Sequence, residues 1–251
     1  MVSVTTLYKP NRKRAGTLWA GMTGGGKTTA ILATLRDAIL SPTFGEYHRF
    51  VIVDPKIQRG DYDKLVDPIT NLGDYLDSIS KNRVSLYWPQ YEIFDEKVIE
   101  GDISMIVNEM FQLADMEPKS TFTFVLDEAS IVISPNWVAP SIKRLSVQGR
   151  AKGILPVYVS QRPLTNRWLD ANLSNLMLFR MTPVDADNLR RRWGLDFEEV
   201  DANIRKRPYS FGRFNLDENK VSYLAPVPFP VKKIPREKKT FLDRLKDNLP
   251  I

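Results

Sequence analysis

Residues Gly21-Met22-Thr23-Gly24-Gly25-Gly26-Lys27-Thr28 match G-x-x-x-x-G-K-[ST] at every position. A loop of this kind constrains its surroundings as much as itself. Its backbone N–H groups must turn inward around an anion, and the helix that follows must lend the positive end of its dipole. It therefore calls for a buried strand on one side and a helix on the other. Both flanks are present: Gly16-Thr17-Leu18-Trp19-Ala20 predicts a short buried strand, and Thr28 to Leu40 carries Ile31, Leu32, Leu35 and Ile39 at helical spacing. Gly21, Thr23, Gly24, Gly25, Gly26, Lys27, Thr28 and Thr29 are thus candidate nucleotide-binding residues for ATP. Lys27 would reach the β- and γ-phosphates, and the Thr28 hydroxyl would ligate Mg²⁺.

Further along, Phe50 to Val53, Val84 to Trp88, Phe122 to Leu126, Leu155 to Val159 and Leu176 to Arg180 predict strands, and Ile103 to Ala114 and Ser141 to Gln148 predict helices. Strands alternating with helices imply crossover connections. The expected fold class is α/β: a RecA-like P-loop NTPase with a mostly parallel central sheet flanked by helices. Tyr209 to Phe214 and Val221 to Leu224 suggest a C-terminal hairpin, and the prolines from Pro226 onward an extended arm with a short helix over Thr240 to Asn248. This divides the chain into an ATPase domain over residues 1–225 and a proline-rich basic arm over residues 226–251.

The strand from Phe122 to Leu126 delivers Asp127-Glu128 at its C-terminal end, the edge that lines the ligand crevice of an open α/β sheet. Behind a phosphate loop such a pair divides into a metal carboxylate, Asp127, and a base, Glu128, that orients and deprotonates the attacking water. Val157-Tyr158-Val159-Ser160-Gln161 places an amide at the end of the next strand, where Gln161 can sense the γ-phosphate or cap the strand.

Charge adds a partner class. The formal net charge is +6, which favours a polyanion. From Ala129 to Leu169 there is no acid, while Lys143, Arg144, Arg150, Lys152, Arg162 and Arg167 are present. Lys143, Arg144 and Lys152 are candidate DNA contacts. The sequence contains no cysteine, which excludes disulfides and thiolate chemistry, and its single histidine, His48, sits in the polar stretch GEYHRF and reads as a surface residue. No apolar run approaches a membrane span and no signal-peptide core is visible, so a soluble protein without a transmembrane segment is expected.

Asp54-Pro55-Lys56, Asp127-Glu128 and Gly149-Arg150-Ala151-Lys152-Gly153-Ile154 leading to Ser160-Gln161-Arg162-Pro163 resemble the FtsK–HerA superfamily of DNA-pumping ATPases over roughly Leu18 to Arg192. The resemblance implies ATP and Mg²⁺ as cofactors. It makes Lys27, Glu128 and Gln161 catalytic, with Gln161 the sensor, and Thr28 and Asp127 metal ligands. It also implies a finger arginine supplied by a neighbouring subunit, Arg150 first, with Arg144 or Arg162 in reserve. Arg150 is expected in a loop near the nucleotide edge of the sheet. A chain of this size is similar to the genome-packaging ATPases of icosahedral viruses with an internal membrane. That likeness implies a homo-oligomer, a hexameric ring, acting on double-stranded DNA without sequence preference. It also implies a capsid or membrane-vertex partner, in the host cytoplasm or the virion. A conjugation or filamentous-phage export ATPase, and a nucleotide switch or kinase that binds no nucleic acid, remain alternatives.

Overall fold

The computed structural model describes residues 16–57, 61–91, 95–163 and 166–227. In chain order the elements are β1 (Gly16–Ala20), α1 (Lys27–Leu40), β2 (His48–Val53), β3 (Pro68–Ile69), α2 (Leu72–Lys81), β4 (Val84–Tyr87), α3 (Glu96–Met116) and β5 (Thr121–Leu126). They continue with α4 (Pro140–Gln148), β6 (Ile154–Ser160), α5 (Arg167–Asp170), β7 (Leu173–Leu178), α6 (Pro183–Trp193), α7 (Phe197–Arg205), β8 (Phe211–Asn215) and β9 (Lys220–Leu224).

Among the described residues the strands form one nine-stranded sheet in the order β3-β4-β2-β5-β6-β1-β7-β8-β9. The first seven in that order run parallel, and β8 and β9 close the far side antiparallel. The central strands are mostly apolar and largely buried because both faces are covered. On one face Trp19, Phe50, Ile52, Val125 and Val157 pack against Ile31, Leu35 and Ala38 of α1. On the other, Leu18, Val51, Phe124 and Tyr158 meet α2, α3 and α4 through Tyr75, Ile106 and Leu145. The period-two alternation of each strand thus splits one apolar run between two cores.

The strand and helix expectations match to within a few residues except at α3, which starts at Glu96 rather than Ile103, and the terminal hairpin is β8–β9, joined to the sheet through β7. Five elements had no counterpart in the sequence reading: β3, α2, α5, α6 and α7. Each of the four helices starts on a side-chain cap, with Asn71, Asn166, Thr182 and Asp196 accepting the N–H of Asp74, Trp168, Asp185 and Glu198. The arm expected from Pro226 onward lies outside the described residues apart from Pro226 and Val227, and so does the helix expected over Thr240 to Asn248.

The surface reading of His48 is corrected. Its ring is 4% exposed, with Nδ1 2.8 Å from Thr121 Oγ1 and Nε2 2.9 Å from Thr123 Oγ1. Phe44 and Phe50 pack against it at centroid distances of 4.6 and 4.8 Å. His48 opens β2, and alternation sends it to the same face as Phe50. Burial, reinforced by the Arg83 charge, pushes its pKa down to about 4.

Candidate functional site

β1, β2, β5, β6 and β7 all end at one edge of the sheet, and the candidate residues gather there. The glycine loop leaves β1 and is stitched to its neighbours: Gly21 N–H donates to the Ser160 carbonyl after β6 (3.4 Å), and Met22 N–H to the Arg180 carbonyl after β7 (2.8 Å). Gly21 is obligatory. A Cβ there would lie 2.5 Å from Phe179 Cβ, and the backbone φ is +156°. Gly26, at φ +88°, starts α1 with no side-chain cap and no acid in the first turn. The helix therefore offers its first N–H groups and its dipole to an anion.

Lys27, 7% exposed, curls back into the loop and donates to the Gly21 carbonyl at 2.5 Å. Burial lowers its pKa, helped by the nearby Lys56 ammonium and opposed by Asp127 and Glu128. Lys27 and the acidic pair are therefore within electrostatic reach of one another. Thr28 and Thr29 are half-buried on the first turn of α1.

Two strands from the loop strand, β5 delivers the acidic pair. Asp127 is 3% exposed and accepts the Glu128 N–H at 2.8 Å. Glu128 holds a left-handed backbone (φ 50°, ψ 46°), a conformation that costs a non-glycine residue about 1–3 kcal/mol and gathers at functional sites. The turn sends its carboxylate toward Lys56, Ser130 and Gln161: Lys56 Nζ lies 2.7 Å away, Ser130 Oγ donates at 2.9 Å and Gln161 Nε2 at 3.4 Å. Burial alone would raise the Glu128 pKa, but the Lys56 hydrogen bond and charge, with the Ser130 and Gln161 bonds, hold it below the ordinary value. Gln161 reaches it because β6 lies between β1 and β5.

Lys56 is the residue the motif reading left without a role. It also lies 3.4 Å from Asp127 Oδ1, so one ammonium bridges both carboxylates. Burial would lower its pKa, and the two carboxylates raise it overall. Asp54, just before it, is 1% exposed and accepts the Lys56 N–H and the Trp88 indole N–H, each at 3.1 Å. Burial, then the Asp127 charge, pushes its carboxyl up to about 6 against those hydrogen bonds. The available signal was Asp54-Pro55-Lys56 at the C-terminal end of a parallel strand.

Arg150 is not where the sequence reading put it. α4 carries the chain back across the sheet, and the single turn Gly149–Lys152 precedes β6 at the edge opposite the glycine loop. The seven residues of β6 separate Arg150 from Gln161 by a rise of about 20 Å. Of the reserves, Arg144 lies on α4, donating to Asn108 Oδ1 at 2.9 Å with its guanidinium 4.0 Å from the Phe111 centroid. Arg162 follows Gln161 at the loop's own edge.

The three DNA candidates are all exposed, but each is engaged within the chain. Lys143 Nζ sits 3.8 Å over the Trp168 ring, Arg144 packs on Phe111 as above, and Lys152 pairs with Asp115.

No protein-family model and no curated protein matches the chain. Solved structures do. It is similar to the genome packaging NTPase B204 from Sulfolobus turreted icosahedral virus 2 in complex with ATP-γS, at 14% identity and a TM-score of 0.65, covering 87% of this chain and 100% of that one. VirB4 of Thermoanaerobacter pseudethanolicus follows at 10% identity and a TM-score of 0.59, covering 86% and 90%. The cytoplasmic domain of the Thermomonospora curvata type VII secretion ATPase EccC matches at 20% identity and a TM-score of 0.56, covering 87% of this chain and 26% of that one. The chain therefore shares the fold of these three proteins. No helix among the described residues is long and apolar enough to cross a membrane.

Proposed function

We propose that the chain is an ATP-hydrolysing DNA translocase, a motor that pumps double-stranded DNA into a viral capsid. The observation that carries hydrolysis is the convergence of Lys27, Asp127, Glu128 and Gln161 on one sheet edge, with Gln161 hydrogen-bonded to the carboxylate assigned to the water. What supports packaging is the likeness over the whole of B204, a genome packaging NTPase.

In this reading the loop N–H groups and Lys27 bind the phosphates of ATP, and Thr28 with Asp127 holds Mg²⁺. The residues fit that ion, which takes few protein ligands and leaves the rest to phosphate and water. Asp127 already faces a cation in Lys56. When bound, Mg²⁺ supplies charge neutralisation at the β- and γ-phosphate oxygens. Glu128, kept ionised by Lys56, orients the water and takes its proton, and Gln161 ties that carboxylate to the end of β6. Arg150, at the opposite edge, is out of reach of its own site, and in this reading it acts on a neighbour's within a homo-oligomeric, hexameric ring. Residues 1–225 are the motor domain and 226–251 an arm for a subunit, capsid or membrane-vertex partner, in the host cytoplasm or virion.

The internal contacts of Lys143, Arg144 and Lys152 favour a second reading, a nucleotide switch that binds no nucleic acid. One assay separates the two: ATP hydrolysis with and without duplex DNA for wild type, Lys27→Ala and Glu128→Gln. The translocase reading expects stimulation by DNA of any sequence that falls steeply with salt through counterion release. Both variants should lose about 10²-fold or more in turnover, with nucleotide binding retained in Glu128→Gln. Hydrolysis indifferent to DNA would leave the switch standing, and turnover within a few-fold of wild type in either variant would overturn the site.

A further inference from the structure

Beside the glycine loop, and bordered by its last glycine, lies a pocket of about 220 Å³ whose described lining is Gly26, Thr29, Tyr209 and Val227. Tyr209 forms its wall. A Cβ built on Gly26 would lie 3.2 Å from Tyr209 Cδ1 and 3.7 Å from Cγ, so the ring sits directly over the last glycine of the loop. Yet the residue is 64% exposed.

Its backbone is also out of the ordinary, with φ at +61°, a region a bulky side chain seldom occupies. The conformation is imposed from both sides. The turn before β8 is closed by Ser210, whose N–H and Oγ both donate to the Arg207 carbonyl at 3.2 and 2.8 Å. Then Phe211 is locked into an aromatic cluster, its ring stacked 4.9 Å from Phe179 at 15° and 6.1 Å from Trp19, which in turn lies 5.8 Å from Phe179. Phe179 is the residue against which Gly21 packs. The stack that backs the loop thus also fixes the turn that presents Tyr209. Strain held this firmly at a pocket mouth points to use of the ring face.

The loop gives the pocket its ligand. Lys27 lies at the inner end and takes the terminal phosphates, so the phosphate chain leads outward along the first turn of α1 past Thr29. Thr29 is a wall of the pocket, and what emerges there is the nucleoside. We propose that Tyr209 is the stacking platform for the nucleobase, binding purine nucleoside triphosphates through the ring face rather than the base edge. The proposal rests on reading the Lys27 loop as a nucleotide phosphate site. Stacking is tolerant of base identity because every base has a π-face, so adenine and guanine gain alike.

The test compares binding of the non-hydrolysable imido analogues of ATP and GTP, and of inorganic tripolyphosphate, to the full chain by calorimetry. Tyr209→Ala should weaken both analogues by a similar factor of about 5 to 150. It should leave tripolyphosphate unchanged, and Tyr209→Trp should keep wild-type affinity for all three. Equal loss for tripolyphosphate would show that the ring merely props Gly26, and no loss for the analogues would show that nothing stacks there; either result overturns the proposal. Should Tyr209→Ala fail to fold, Tyr209→Leu decides in its place, since it keeps bulk over Gly26 without a π-face. Wild type binding tripolyphosphate as tightly as the analogues also overturns the platform. Wild type binding none of the three overturns the phosphate-site reading first, and the platform with it.

Discussion

His48 lends itself to a quantitative test because it is the only histidine in the sequence and its surroundings are closed. It opens β2 opposite Thr121 of β5, and these two strands deliver Lys56 and the acidic pair at their other ends. Its ring nitrogens face the Thr121 and Thr123 hydroxyls, its ring meets Phe44 and Phe50, and the charge acting on it is the Arg83 guanidinium. Nothing there welcomes a second positive charge. The folded pKa of about 4 lies below the ordinary 6.5, so the unfolded chain binds the proton first. Stability from this group is complete above pH 6.5 and is lost as pH falls toward 4, at about 1.4 kcal/mol per unit and about 3 kcal/mol in all. Urea unfolding of wild type and His48→Gln between pH 7 and 4 isolates the effect, since other groups cancel in the difference. Wild type should lose about 3 kcal/mol relative to the variant, and the ring signal in NMR should show no protonation above pH 5. A pH-independent difference, or a ring that titrates near 6.5, would refute the burial argument.

Two further substitutions probe the loop and the carboxylates behind it. Lys56→Met removes the ammonium from Asp127 and Glu128 and should cost about 2 kcal/mol in urea unfolding at neutral pH, since a carboxylate pair this buried is left facing itself; an unchanged midpoint would show that solvent already screens the pair. Gly21→Ala drives a methyl into Phe179 at a φ closed to alanine and should cost about 3 kcal/mol with nucleotide binding impaired; a variant as stable as wild type would mean that the stitching to β6 and β7 is loose.

Much of this arrangement was legible in the residues because local and global signals agree. The glycine loop carries its own geometry, and Phe122 to Leu126, four large apolar residues around one threonine, reads as a covered strand ending at Asp127. What stayed hidden depends on packing across long separations. α6 buries only Asp185 and Leu189, so its sequence is mostly charge and reads as a polar segment. His48 sits in a polar stretch, and its burial is set by strand pairing with Thr121 and Thr123, more than seventy positions away. Tyr209 carries no motif at all. Its position follows from the antiparallel pairing of β8 with β7, which a run of residues does not announce.

The basic stretch from Ala129 to Leu169 shows where composition misleads. An acid-free run looks like a single cationic face, but the crossover through α4 divides it between the two edges of the sheet. Lys143 and Arg144 turn onto Trp168 and Phe111 on the helix layer, Arg150 and Lys152 fall at the edge remote from the loop, and Arg162 returns beside Gln161. Charges that are contiguous in sequence are thus spread along the length of β6, about 20 Å. A single molecule cannot bring Arg150 to its own Lys27, because Arg150 precedes β6 at one edge of the sheet and Lys27 follows the parallel strand β1 at the other. If Arg150 takes part in hydrolysis, it does so in another copy's site.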